Sequence, residues 1–234
     1  MNWKEYCWHL KEIDIMRKAV EVENVTKKFG ARVIFDNISF SVLQGEFIAL
    51  VGPSGCGKST LLNMIGALET YDKGKIKICG KKLPKIESRE ATHLRRETIN
   101  YLFQSFALIT EMTICQNLYL AMNFVDCSRK DKLKKIEEIL QKVDLLPLKN
   151  ERVNTLSGGE QQRVALARTL VKPGGLVLAD EPTGALDQAA AAKSFDLLKE
   201  LSGKYNKTVI MVTHSNEMAK RADRIIDMSI LKTK

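Results

Sequence analysis

Gly52-Pro53-Ser54-Gly55-Cys56-Gly57-Lys58-Ser59-Thr60 is the stretch whose reading decides the fold. It has the form G-x-x-x-x-G-K-S-T. The apolar run before it, Phe47-Ile48-Ala49-Leu50-Val51, reads as a buried strand, and Leu61-Leu62-Asn63-Met64-Ile65 after it reads as a helix packed on that strand. A glycine-rich loop between a strand and a helix is the context in which this short pattern becomes a phosphate-binding loop. The glycines at 52, 55 and 57 let the backbone curl so that successive N–H groups face one anion, and the helix behind presents its positive N-terminus to the same point. Lys58 can reach the outer phosphates of a nucleotide, and the Ser59 hydroxyl can ligate Mg²⁺. The plain alternative is a glycine-rich turn that holds no ligand.

Outward from the loop, strands and helices alternate. Residues 19–25, 33–35 and 38–42 read as strands, with Lys27-Lys28-Phe29-Gly30 as a turn. Residues 75–78 and 99–103 read as further strands, the second ending in Gln104. Helical patterns follow at 113–123 and 131–143, and Leu133, Ile136, Ile139, Leu140 and Val143 form one apolar stripe on the second. No strand-like run stands out between residue 103 and Leu156, so a mainly helical lobe, about 105–160, is expected as an insertion. Ser157-Gly158-Gly159-Glu160 then opens a helix with a good N-cap and exposed backbone N–H groups. Residues 176–179 form a continuous apolar strand ending in Asp180-Glu181, and residues 208–212 form another ending at Thr213-His214. This is an α/β pattern with a mainly parallel sheet and loops gathered at the carboxyl ends of its strands, where ligands sit.

The composition narrows the function. The chain has 234 residues, enough for one large α/β domain or a core with an inserted lobe, and its 44% hydrophobic content is that of an ordinary globular protein. No stretch approaches the roughly 18 consecutive apolar residues of a membrane span. Residues 1–17 read as an N-terminal extension, disordered or helical, with Trp3, Tyr6, Leu10 and Ile13 spaced for one helical face. They lack the pattern of a signal peptide, and the five cysteines have no C-x-x-C spacing, so reduced thiols in the cytosol are expected. The net charge is +9, but the densest basic run, 129–142, is interleaved with Asp131, Glu137 and Glu138. No aromatic residues alternate with basic ones, so a nucleic-acid partner is not expected.

Several polar residues end strands near the phosphate loop. One carboxylate of Asp180-Glu181 can hold Mg²⁺ while the other polarises an attacking water; the alternative is an acidic cap of the next loop. Gln104 and His214 add two polar tips. Phe29, an aromatic upstream of the loop, can stack on a nucleobase or pack as a core side chain.

Leu156-Ser157-Gly158-Gly159-Glu160 completes a set that resembles the nucleotide-binding subunits of ATP-binding cassette (ABC) transporters. The Walker A loop, Gln104, the signature, Asp180-Glu181, Ala185-Leu186-Asp187 and His214 stand in family order, and the resemblance covers about residues 18–230. It implies a P-loop NTPase core with an N-terminal antiparallel β part and an inserted helical subdomain, 18–234 forming one ATP-binding domain. It implies Mg²⁺-dependent ATP hydrolysis with Glu181 as general base, His214 as γ-phosphate sensor, Ser59, Gln104 and Asp180 on the metal, and Phe29 as adenine platform. Gly52 to Thr60 (Gly52, Pro53, Ser54, Gly55, Cys56, Gly57, Lys58, Ser59, Thr60) would cradle the phosphates. Two subunits would form a homodimer with ATP sandwiched between them, Ser157, Gly158 and Gly159 of one clasping the nucleotide of the other and Asp187 linking the two. The partner would be a separate membrane permease, placing the protein at the cytoplasmic face of the membrane.

Residues 101–109 and 179–187 are most similar to the MacB/LolD/BceA-type subfamily, in the antimicrobial-peptide-resistance or bacteriocin-export branch, which implies export or removal of peptide, antibiotic or lipid-like cargo. The alternative is a non-transport ABC ATPase acting in DNA or translation processes, or in cell division; neither a second cassette nor an interrupting coiled coil is visible. Two departures from the family pattern stand out: Phe29 where Tyr is commoner, and Gly174-Gly175 where bulkier residues are usual.

Overall fold

The structure, a computed structural model, describes residues 18–184 and 186–231. The expected N-terminal extension, its helical face and Ala185 lie outside the described residues.

Two sheets are formed. The first is antiparallel, in the order β2-β1-β4-β5, from Lys18–Phe29 (β1), Arg32–Leu43 (β2), Lys73–Ile78 (β4) and Lys81–Lys82 (β5). The second is parallel, in the order β6-β7-β8-β3-β9, from Phe47–Val51 (β3), Ile99–Leu102 (β6), Leu176–Asp180 (β7), Thr208–Val212 (β8) and Arg224–Asp227 (β9).

Strand alternation divides the core. Ile48 and Leu50 of β3, Leu178 of β7 and Ile210 and Val212 of β8 face helix α1 (Lys58–Ile65) and the antiparallel sheet. Phe47, Ala49, Val177, Ala179, Val209 and Met211 face the other way, among helices α3 (Ile114–Ala121), α4 (Arg129–Lys142), α5 (Gly158–Val171) and α6 (Gln188–Lys204). Both faces of the parallel sheet are buried, so its strands read as unbroken apolar runs rather than alternating ones. Helix α2 (Arg89–Glu97) precedes β6, while α7 (Asn216–Lys220) and α8 (Met228–Leu231) flank β9. Among the described residues no helix is long and apolar enough to cross a membrane.

The hairpin differs from its expected form. Residues 27–29, read as a turn, belong to β1, which pairs through Lys27↔Phe35, Lys28↔Val33 and Phe29↔Arg32. The turn is Gly30-Ala31, and the two short strands expected at 33–35 and 38–42 are one bulged strand with Asn37 at φ 57°. The bulges absorb the breaks in apolar alternation that suggested separate pieces.

The unusual Gly174 has a steric cause. Its φ is +106°, and a Cβ there would stand 2.5 Å from the Thr98 carbonyl oxygen. The same corner is tied by Asn100 Nδ2, which donates to Pro173 O and Gly174 O, and by two lysine ammoniums that donate to backbone carbonyls: Lys172 to Arg95 O and Ile99 O, Lys207 to Gly174 O. Burial pushes both lysines down to about 8. Gly174→Ala should therefore destabilise the fold by about 2 kcal/mol or more in denaturant titration, while Gly175→Ala, with open space around it, should be close to neutral.

Candidate functional site

The loop between β3 and α1 closes on the antiparallel sheet. Gly57 sits at the N-cap of α1 with φ +100°, and a Cβ there would meet Ile34 Cγ2 at 2.5 Å and Phe35 Cζ at 2.6 Å. Only glycine satisfies both the left-handed backbone and the contact. Cys56 turns inward instead of toward the ligand side; it is buried with the core, its Sγ 3.1 Å from where a Gly52 Cβ would stand. The Lys58 ammonium folds back across its own loop, donating to Gly52 O at 2.9 Å and Pro53 O at 3.1 Å.

A cleft of about 360 Å³ opens above this loop. It is lined by Phe29, Arg32, Ile34, Ser54, Gly55, Gly57, Lys58, Ser59, Thr60, Glu181 and His214. The structure thus brings together the aromatic of the hairpin, the phosphate loop and two of the polar strand tips. At its far end, His214 Nε2 lies 2.8 Å from Glu181 Oε1. Glu181 has φ 45°, a left-handed conformation rare for a side-chain-bearing residue; its N–H donates to Val212 O and its carbonyl accepts from Gly184 N.

Ser59 Oγ donates to Asp180 Oδ1 at 3.0 Å. Burial pushes the Asp180 carboxyl above its ordinary range and the neighbouring Glu181 adds to the push, while the Ser59 hydroxyl and Lys58 pull it back. Two hard oxygen donors within bonding distance of each other at a phosphate loop fit Mg²⁺, which takes few protein ligands and completes its shell with phosphate and water oxygens. Gln104 is not drawn into this pair: it follows β6 as an exposed residue, with Nε2 3.2 Å from where a Gly184 Cβ would stand.

The signature residues lie outside the cleft. Ser157 caps α5 in a reciprocal box with Glu160: Ser157 N and Oγ donate to Glu160 Oε2 at 2.8 and 2.7 Å, and Ser157 Oγ accepts from Glu160 N. Beside Gly159 there is open space, and a Cβ on Gly158 would meet Leu186 at 3.8 Å, so the start of α5 neighbours the segment carrying Asp187. Asp187 caps α6 through Ala190 N at 2.9 Å.

Comparison with known proteins follows the same residues. The ABC transporter family matches residues 35–184. The chain belongs to the ABC transporter family. It is 40% identical over 215 residues to the ABC transporter ATP-binding protein MJ0796 of Methanocaldococcus jannaschii, covering 88% of this chain and 92% of that protein. It is 37% identical over 213 residues to the macrolide export ATP-binding/permease protein MacB of Mannheimia succiniciproducens, but that match covers only 33% of MacB. The chain spans about a third of the MacB relatives it matches. A solved dimeric structure of the MJ0796 cassette superposes with a TM-score of 0.79 at 38% identity, over 89% of this chain and 93% of that one.

Arg32 and Ile34 line the cleft, and sequence reading missed both. Arg32 pairs with Phe29 beside the turn, and Ile34 is the extra residue of the bulge between Val33 and Phe35, so no alternation in the sequence marked either of them. Arg32 Nη2 donates to Gly55 O at 3.3 Å, and no ion pair to a carboxylate is found for it among the described residues. A guanidinium spent on one neutral carbonyl beside a phosphate loop has charge to offer an anion. Arg32→Ala should weaken binding of tripolyphosphate about tenfold in titration calorimetry, and the loss should shrink as salt is raised. An unchanged affinity at low salt would remove Arg32 from the phosphate end of the cleft.

Proposed function

We propose that the chain is the ATP-hydrolysing subunit of an ABC transporter, powering a membrane permease for export or removal of peptide, antibiotic or lipid-like cargo. The observation that carries the hydrolytic half is the pairing of Glu181 with His214 at one end of a cleft whose floor is the phosphate loop and whose other wall is Phe29. Support also comes from the MJ0796 cassette, solved as a dimer in a post-hydrolysis state bound to ADP and Pi. The cargo class follows the subfamily resemblance and the macrolide-export name of the MacB relatives. The protein acts at the cytoplasmic face of the membrane through the permease.

In this reading the adenine stacks on Phe29 and the triphosphate runs over Gly55, Gly57, Lys58, Ser59 and Thr60, taking the α1 N–H groups as donors. Lys58 exchanges its bonds to Gly52 O and Pro53 O for the outer phosphate oxygens. Ser59 and Asp180 would hold Mg²⁺, which when bound would neutralise charge on the phosphates. The Glu181 carboxylate accepts a proton from the attacking water, and His214, released from Glu181, senses the γ-phosphate. Gln104 stands at the edge of this site, on the loop leading to the helical lobe. Exposed Ile109, Leu120 and Phe124 on that lobe are the apolar surface offered to the permease.

Glu181→Gln keeps the shape of the side chain and removes its basicity. Turnover of ATP should fall by a factor of about 10² or more while ATP binding persists. Near-normal phosphate release by this variant would take the base role from Glu181.

A further inference from the structure

The Phe29 ring is held from behind. Lys27, two positions back and so on the same face of β1, places its ammonium 4.4 Å from the ring centroid. Lys27 is only 4% exposed. Its charge is met by Glu69 Oε1 at 2.8 Å, with Thr70 Oγ1 at 3.4 Å. Glu69 is itself fixed, accepting from Thr70 N at 2.9 Å, and the Lys27 bond holds its carboxyl below the usual carboxylate range. Glu69 and Thr70 lie between α1 and β4, so the helix that carries the phosphate loop leads directly to the carboxylate that anchors Lys27.

A buried lysine paired with a carboxylate is by itself an ordinary structural pair. Here the same ammonium also faces an aromatic ring, and that ring, 48% exposed, lines the cleft. None of Lys27, Glu69 and Thr70 lines it. The cation therefore backs the ring and leaves an exposed face to the ligand. A cation over a π face restrains the ring and lowers the entropy lost when a base stacks on it. It also draws electron density toward itself, which reduces repulsion between the ring and the π cloud of a stacked purine.

We propose that Lys27, locked by Glu69 and Thr70, is a positioning residue that sets the Phe29 ring and thereby the protein's affinity for a purine base, independently of its grip on the phosphates. The inference rests on the nucleotide reading above and adds a residue to it.

The test titrates the full chain and its variants with two ligands, ATP and tripolyphosphate, the second having phosphates but no base. Lys27→Met should raise Kd for ATP about three- to tenfold while Kd for tripolyphosphate stays within about twofold. Lys27→Arg should restore most of the ATP affinity. In a Phe29→Ala background, Lys27→Met should change ATP affinity by less than about twofold, because the ring it positions is gone. Equal weakening of both ligands, or the full effect persisting without Phe29, overturns the inference. If Lys27→Met unfolds through the unpaired Glu69, Lys27→Met combined with Glu69→Gln removes both charges and carries the same comparison. An unaltered chain that binds tripolyphosphate as tightly as ATP also overturns the inference but leaves the phosphate loop standing. A chain that binds neither ligand overturns the nucleotide reading and this inference with it.

Discussion

Ile34 and Phe35 occupy the space a side chain at residue 57 would need, and the site depends on that contact. It presses the antiparallel sheet against the start of α1, so the β1–β2 hairpin delivers Phe29 and Arg32 to the mouth of the cleft while β3 delivers the loop to its floor. The arrangement is held by far more than the loop. Leu61, Leu62, Met64 and Ile65 of α1 are fully buried between Ile48 and Leu50 on one side and strands of the other sheet on the opposite side. Each such side chain contributes about 1.5–3 kcal/mol by leaving water. A loop that must keep several N–H groups aimed at one anion gains its rigidity from this packing.

The parallel core was legible because its signal is local. Continuous apolar runs at 47–51, 176–179 and 208–212 have one reading beside glycine loops and amphipathic helices, and each became a strand. The polar ends of those strands were legible for the same reason: Asp180 closes β7, with Glu181 next, and His214 lies two residues past the end of β8. The hairpin was less legible. Lys27 and Lys28 look like surface turn residues, yet Lys27 is buried because Glu69, 42 positions away, meets its charge. No local pattern carries such a partner. The Gly174-Gly175 departure was visible but had no cause until Thr98, on the neighbouring β6 corner, was seen to stand where a Cβ would go. The pairing of Glu181 with His214 joins two strands adjacent in the sheet and 33 positions apart, which strand order alone does not reveal.

The signature residues give the site its incompleteness. Ser157, Gly158 and Gly159 stand at the start of a 14-residue helix that is capped by the Glu160 carboxylate and has open space beside Gly159, while the phosphate loop opens elsewhere into a cleft that they do not line. A helix N-terminus with exposed glycines and a phosphate site with an open side are complementary surfaces, which two copies of the chain can satisfy at once. The lobe that carries the signature is also tied to the segment after Gln104: Arg168 of α5 donates to the carbonyls of Phe106 and Ala107, the first at 2.9 Å. Phe106 and Ala107 both have positive φ, at 61° and 47°, so this segment is held in a strained form by the same helix. A change at the nucleotide that moves Gln104 is thus linked through Arg168 to the last turn of α5, the helix that opens on the signature.

The account's central claim is that ATP joins two half-sites, the phosphate loop of one copy and the signature of the other. Light scattering after size exclusion, on the Glu181→Gln protein with Mg-ATP, tests it most directly. The account predicts a dimer with ATP, a monomer with ADP, and loss of the ATP dimer when Ser157→Arg is added, with ATP binding retained. A dimer equally stable in ADP, or one indifferent to Ser157→Arg, would contradict it.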